Sequence, residues 1–151
     1  MSLDDRAFQR CISPACAATF GPEEVLTGCS RCGELLDIDY EWDRLEVPTR
    51  LSEFERAWSE RRIPWQFSGV WRFRSLLPFV RAEQAATIGE GQTLLQQADR
   101  VGRFVGSNPG RLWLQYEGMN PSGSFKDNGM TAAISHAKAI GAKRAACAST
   151  S

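Results

Sequence analysis

The stretch Asn120-Pro121-Ser122-Gly123-Ser124-Phe125-Lys126-Asp127-Asn128-Gly129-Met130 decides how this 151-residue chain is read. It sets one lysine in a turn of small residues, after an apolar run at 111–116 and before a helical pattern. A lysine amine condenses with an aldehyde to a Schiff base and can then act as a base, so this placement suits the anchor of an aldehyde cofactor. The competing reading is a lysine that snorkels from a helix start. Gly123 lets the backbone bend, Ser124 predicts an N-cap, and the helix dipole disfavours a protonated amine there. Phe125 adds apolar surface beside the amine.

Working outward, residues 111–116 predict a strand. Residues 124–140 predict a helix with Met130, Ala133, Ile134, Ala137 and Ile140 on one face. Gly141 is the expected C-cap, and 143–148 a second strand carrying a buried Cys147. Strand, helix and strand form a right-handed βαβ unit with parallel strands. Ligands of such sheets sit beyond the carboxyl ends of the strands, where Lys126 falls. The chain stops right after the second strand. Two parallel strands cannot cover their own faces, so the domain is expected to be incomplete.

Upstream, residues 43–80 read as a connector. Leu51, Phe54 and Trp58 recur at helical spacing, and Ser52 with Glu55 fits a capping box. Residues 68–74 read as a loop entering an extended aromatic stretch. Residues 1–42 are cysteine-containing, with a strand through Leu35, Leu36, Ile38 and Tyr40. The expected organisation is therefore 1–42, 43–80 and 81–151.

Cys11, Cys16, Cys29 and Cys32 follow the spacing C-x4-C-x12-C-x2-C. Cys29-Ser30-Arg31-Cys32-Gly33 has the form of a zinc knuckle, with the glycine permitting the tight turn. Four thiolates around one ion make a closed, structural site. Reduced thiols without metal are the alternative. An odd total of five cysteines argues against a disulfide framework.

With 18 basic and 18 acidic residues the chain has no net charge, which gives no drive for nucleic-acid binding. The apolar runs fall short of the roughly 20 residues of a membrane helix. The N-terminus lacks an apolar signal core, so the expected location is cytoplasmic. The five tryptophans carry no stripe of interleaved basic residues and read as packing groups. His136 is given no role.

The lysine stretch resembles the cofactor-lysine motif N-P-x-G-S-F-K-D-x-G-M of threonine synthases. Residues 68–78 are similar to that family's S-G-V-W-R-Y-R-x-L-L-P, residues 89–93 to its G-E-G-x-T loop, and residues 147–150 to the start of C-A-S-T-G-N-T. Ser151, Asn128 and Leu94 stand where relatives commonly have glycine, arginine and proline. The resemblance implies an α/β fold: the N-terminal part of a fold-type II pyridoxal 5'-phosphate enzyme, an incomplete parallel sheet with helices, behind a small zinc-ribbon-like element. It implies conversion of O-phospho-L-homoserine and water to L-threonine and phosphate. Lys126 would then be the Schiff-base lysine and acid/base, with Phe125 beside the cofactor and Ser149 and Thr150 on the substrate carboxylate. Cys11, Cys16, Cys29 and Cys32 would hold structural zinc. The family's further cofactor-holding groups are expected downstream of Ser151, so this chain is read as an N-terminal fragment, inactive alone, of an enzyme that is a homodimer at full length. Another fold-type II enzyme, such as a cysteate synthase or threonine dehydratase, is the nearest alternative. A non-catalytic zinc-ribbon binding module is the reading from a different class.

Overall fold

The computed structural model describes residues 5–147. Its N-terminal part is an antiparallel ribbon in which β1 (Ala7–Cys11) lies between β2 (Thr19–Phe20) and β3 (Leu36–Tyr40). Ala7, Gln9 and Cys11 point inward at the two-residue period of a strand. The register sets Cys11 opposite Leu36 and Gln9 opposite Ile38. Buried Gln9 donates to the carbonyls of Gly21 and Glu24, both at 2.8 Å, which fastens the loop after β2. The ribbon's core is small: Cys11, Ala18 and Cys29 are buried, with Cys16, Phe20 and Leu36 packed against them.

Two helices follow, α1 (Leu51–Ser59) and the single turn α2 (Pro64–Phe67). The expected capping pair is displaced. Leu51 is already helical, so Ser52 lies inside the first turn, and Glu53 reaches back to accept the Arg50 N–H at 3.3 Å. Phe54 is buried on the helix face that meets Phe73, with ring centroids 4.9 Å apart. The expected extended stretch after Ser68 is instead a 3₁₀ helix, Trp71–Leu76. Ser68 Oγ accepts the N–H groups of Val70 and Trp71 at 3.1 and 3.0 Å, and this local bond closes the chain into a turn. Trp71 is buried, whereas Trp42 and Trp113 are about half exposed, against the expectation of packing roles for all five tryptophans.

The remainder contains β4 (Leu94–Gln97), α3 (Asp99–Phe104), β5 (Trp113–Tyr116) and α4 (Lys126–Ala139). A strand at 113–116 and a helix at 126–139 stand within the expected 111–116 and 124–140; the parallel sheet does not. β5 pairs antiparallel with β4, Leu94 opposite Tyr116, and residues 143–147 form no strand. Both strands are exposed along their length. A parallel partner is stable only inside a sheet covered on both faces, and nothing among the described residues covers this one. Cys147 is accordingly exposed rather than buried, its sulfur 3.7 Å from Met130 Sδ. Gly141, at φ +74°, ends α4 as expected: the Ala142 N–H reaches the Ala137 carbonyl at 2.9 Å and the Gly141 N–H reaches Lys138 at 3.1 Å.

The buried stripe of α4 is Asp127, Thr131 and Ser135, not the apolar face. Ser135 Oγ takes the Ala86 N–H at 2.8 Å and donates to the Thr131 carbonyl at 2.7 Å, so hydrogen bonding sets the helix's rotation. Ala133, Ala137 and Ile140 line an open groove of 560 Å³ facing the ribbon. His136 bridges the two parts, its Nε2 2.6 Å from the Pro22 carbonyl. Among the described residues no helix is long and apolar enough to cross a membrane.

Connector and α/β part meet at two glycines. A Cβ on Gly91, whose φ is +81°, would lie 2.6 Å from Gly69 Cα, and one on Gly69 would lie 2.5 Å from Gly91 Cα. The Gly69 N–H donates to the Glu90 carbonyl at 2.8 Å across this contact. Gly91→Ala is expected to destabilise by on the order of 3 kcal/mol, combining left-handed strain with backbone overlap. A denaturant midpoint unchanged from wild type would overturn that.

Candidate functional site

Lys126 is the first residue of α4 and is partly buried. The turn that delivers it starts at Asn120, whose carbonyl accepts the Gly123 N–H at 2.7 Å while Gly123 sits at φ +77°. Ser124 caps as expected in part: its Oγ accepts the Lys126 N–H at 3.2 Å, but Phe125, not Ser124, is the residue flanking the helix. Phe125 is 63% exposed beside the lysine. Buried Asp127 closes the loop, accepting the Ser122 N–H at 2.8 Å and the Ser122 hydroxyl. The turn is thus held at one end by the Asn120 backbone carbonyl and at the other by the Asp127 carboxylate, both residues being buried. Such bracing fixes the backbone under the amine, as a covalent anchor requires. Ser149 and Thr150 lie outside the described residues.

The second cluster is the four expected thiols. Cys11, Cys16, Cys29 and Cys32 bring their sulfurs within 4.8 Å of one another, with Cys11–Cys32 at 3.4 Å and Cys16–Cys29 at 3.7 Å. Zinc–sulfur bonds of about 2.3 Å in a tetrahedron put sulfurs about 3.8 Å apart, so the set fits one ion. Gly33 at φ +78° and the Gly33 N–H bond to the Cys29 carbonyl, 2.8 Å, turn the second pair inward. Burial works to raise the Cys29 thiol, but the N–H groups of Arg31 and Cys32 and the neighbouring thiols bring it down to about 7. For Cys32 the Glu34 N–H works downward, yet Cys11, burial, Cys16 and Cys29 push it up to about 12. Burial likewise raises Cys11. One thiolate forming first makes the rest harder to ionise, and a divalent cation removes that penalty.

Residues 86–151 match the family described as pyridoxal-phosphate dependent enzyme. Over 141 residues the chain is 35% identical to a threonine synthase of Methanosarcina acetivorans, covering 93% of this chain and 31% of the relative. The threonine synthase of Methanocaldococcus jannaschii is 33% identical over 142 residues, 94% of this chain and 32% of that protein. That of Synechocystis is 45% identical over 78 residues, 52% of this chain and 20% of the relative. The chain is similar to the N-terminal portion of threonine synthases. It spans about a third of the length of the first two of these curated relatives.

Two buried polar residues in the motifs at 89–93 and 120–130, Glu90 and Asn120, have no role assigned from the sequence. Glu90, fully buried, accepts hydrogen bonds from Ser68 Oγ, Thr87 Oγ1 at 2.7 Å and the Ile88 N–H at 3.1 Å. Asn120 Oδ1 accepts the Gly91 N–H at 2.8 Å, and its amide donates to the Glu117 carboxylate at 2.7 Å. Segments 68–74, 89–93 and 120–130 are therefore one hydrogen-bonded unit, with Glu90 joined to the first and Asn120 joining the second to the lysine turn. Each motif was legible as a string; that they interlock was not, because the bonds span 22 and 29 residues. The available signal was polar residues embedded in otherwise small or apolar motifs.

Burial works to raise the Glu90 carboxyl, but its hydrogen bonds from Ser68, Thr87 and the backbone hold it below the ordinary range. A depressed native value stabilises the fold above the unfolded value of about 4.3, and the contribution disappears as pH falls through the native one. Glu90→Gln is expected to cost about 1–2 kcal/mol at pH 7. Its denaturation midpoint should fall less steeply than wild type between about pH 5 and pH 3. Parallel curves for the two proteins would exclude this role.

Proposed function

We propose that this chain carries the cofactor lysine of a threonine synthase acting on O-phospho-L-homoserine, with pyridoxal phosphate held by Lys126. The observation that carries the reading is the braced turn that presents Lys126 at the start of α4. Bound pyridoxal phosphate would supply the electron sink for carbanion chemistry. Lys126 Nζ would hold the cofactor and, once released, move a proton at the substrate carbon. Phe125, exposed next to it, would shield one side of the ring from water. Ser149 and Thr150 would bind the substrate carboxylate through hydroxyl and backbone donors.

The similarity to threonine synthases supports that substrate class. Cys11, Cys16, Cys29 and Cys32 would hold a structural zinc ion, for which the sulfur spacing speaks. In this reading residues 1–42 form the zinc-ribbon-like element, 43–80 the connector and 81–151 part of the cofactor domain of a cytoplasmic homodimer. The test is incubation of the full-length protein, loaded with cofactor, with O-phospho-L-homoserine. Threonine and phosphate formed in equal amounts are expected. A cofactor-loaded protein that releases no phosphate would overturn the substrate class.

A further inference from the structure

We propose that the groove between α1 and the 68–81 segment is a second ligand site, one that binds a small phosphate-bearing anion. The groove has a volume of 660 Å³ and is lined by Arg6, Arg44, Arg56, Arg72, Arg74 and Arg81, with Glu46 and Glu53 as the only lining carboxylates among the described residues. Six of the chain's 18 basic residues thus converge on one cavity in a protein of zero net charge. No residue of the lysine turn takes part, and the site stands independently of the function proposed above.

The charge balance favours an outside anion. Glu53 is engaged by the Arg50 N–H. Arg44 is matched by Asp5 and Glu41, and Arg81 by Glu83 at 3.4 Å. Arg72 pairs, among the described residues, only with Glu55, at 3.8 Å. Among the described residues no carboxylate lies within 4.0 Å of Arg56 or Arg74. The Nε of Arg72 is buried, with no hydrogen-bond partner among the described residues.

Aromatic rings hold these cations in place. The Arg72 guanidinium lies 4.6 Å from the ring centroids of both Trp58 and Phe73, and that of Arg74 lies 4.1 Å from Trp65. A guanidinium fixed by its face keeps its in-plane N–H fork for a ligand and loses little freedom on binding. Forked donors match phosphate oxygens in pairs. The volume falls in the roughly 300–1,000 Å³ range of metabolite pockets. A free phosphate and a phosphate ester share the chemistry that these arginines read.

The test is calorimetric titration of the chain at low ionic strength with inorganic phosphate and, separately, with O-phospho-L-serine. Both the Arg74→Gln and Arg56→Gln variants should bind at least tenfold more weakly, with unchanged circular dichroism. Lys126→Ala should bind like wild type, which separates this site from the cofactor lysine. Tighter binding of the ester than of phosphate identifies an ester site; equal binding identifies a site for the free ion. Should Arg74→Gln unfold, Arg56→Gln on the exposed face of α1 carries the comparison. Absence of binding of either probe to wild type, or affinities unchanged in a folded arginine variant, overturns the proposal.

Discussion

On the function proposed above, replacing Lys126 by alanine is expected to remove covalently held pyridoxal phosphate and, in the full-length protein, to lower turnover by on the order of 10³-fold or more. Nζ is asked both to hold the cofactor and to move a proton, and alanine does neither. The fold should persist. Lys126 is only partly buried, and the turn beneath it is braced by Asp127 and Asn120 through bonds that leave the lysine side chain aside. Borohydride reduction followed by peptide mass measurement checks this directly: wild type should carry the cofactor's added mass on the peptide containing Lys126, and the variant should not. Label found on another lysine, such as Lys138 or Lys143, would falsify the assignment. Asp127→Asn should act differently, because it leaves the amine but weakens the clamp on Ser122. Cofactor should still attach to that variant, with slower turnover.

With zinc held by the four thiols as proposed, its chelation, or Cys29→Ser, is expected to unfold the ribbon. A core of Cys11, Ala18 and Cys29 with three partly buried neighbours is too small to hold three short strands by apolar burial. Structural zinc contributes on the order of 10–16 kcal/mol in small zinc-binding domains, so its loss would exceed any single hydrogen bond or glycine contact of the chain. Hydrogen exchange should show β1, β2 and β3 losing protection while α4 retains it. Cys29→Ser should weaken zinc binding by more than about 100-fold, beyond the loss that an outer-shell partner causes. Protein prepared in zinc that carries no metal, with the ribbon protected all the same, would favour four reduced thiols as the native state. Because the thiols must ionise to bind, affinity should fall as pH drops.

What could be read from the linear chain was whatever depends on residues close together in it. The lysine turn, the strand at 113–116, the helix and its Gly141 cap, and the Cys29–Cys32 knuckle are local. Backbone preference and side chains within a few positions decide them. The thiol cluster was legible for a related reason: four residues of one chemical type at knuckle spacing have few other uses. Tertiary structure decided the rest. The 68–74 segment became a 3₁₀ helix because Ser68 closed a turn above a buried Glu90 far along the chain. β5 paired with β4 instead of with a later strand, since parallel pairing depends on a covered sheet, not on the strand's own residues. α4 turned its polar stripe inward because Asp127 and Ser135 had partners waiting at Ser122 and Ala86. Apolar periodicity measures only what a helix would hide from water; where buried polar groups must be matched, the location of their partners sets the rotation.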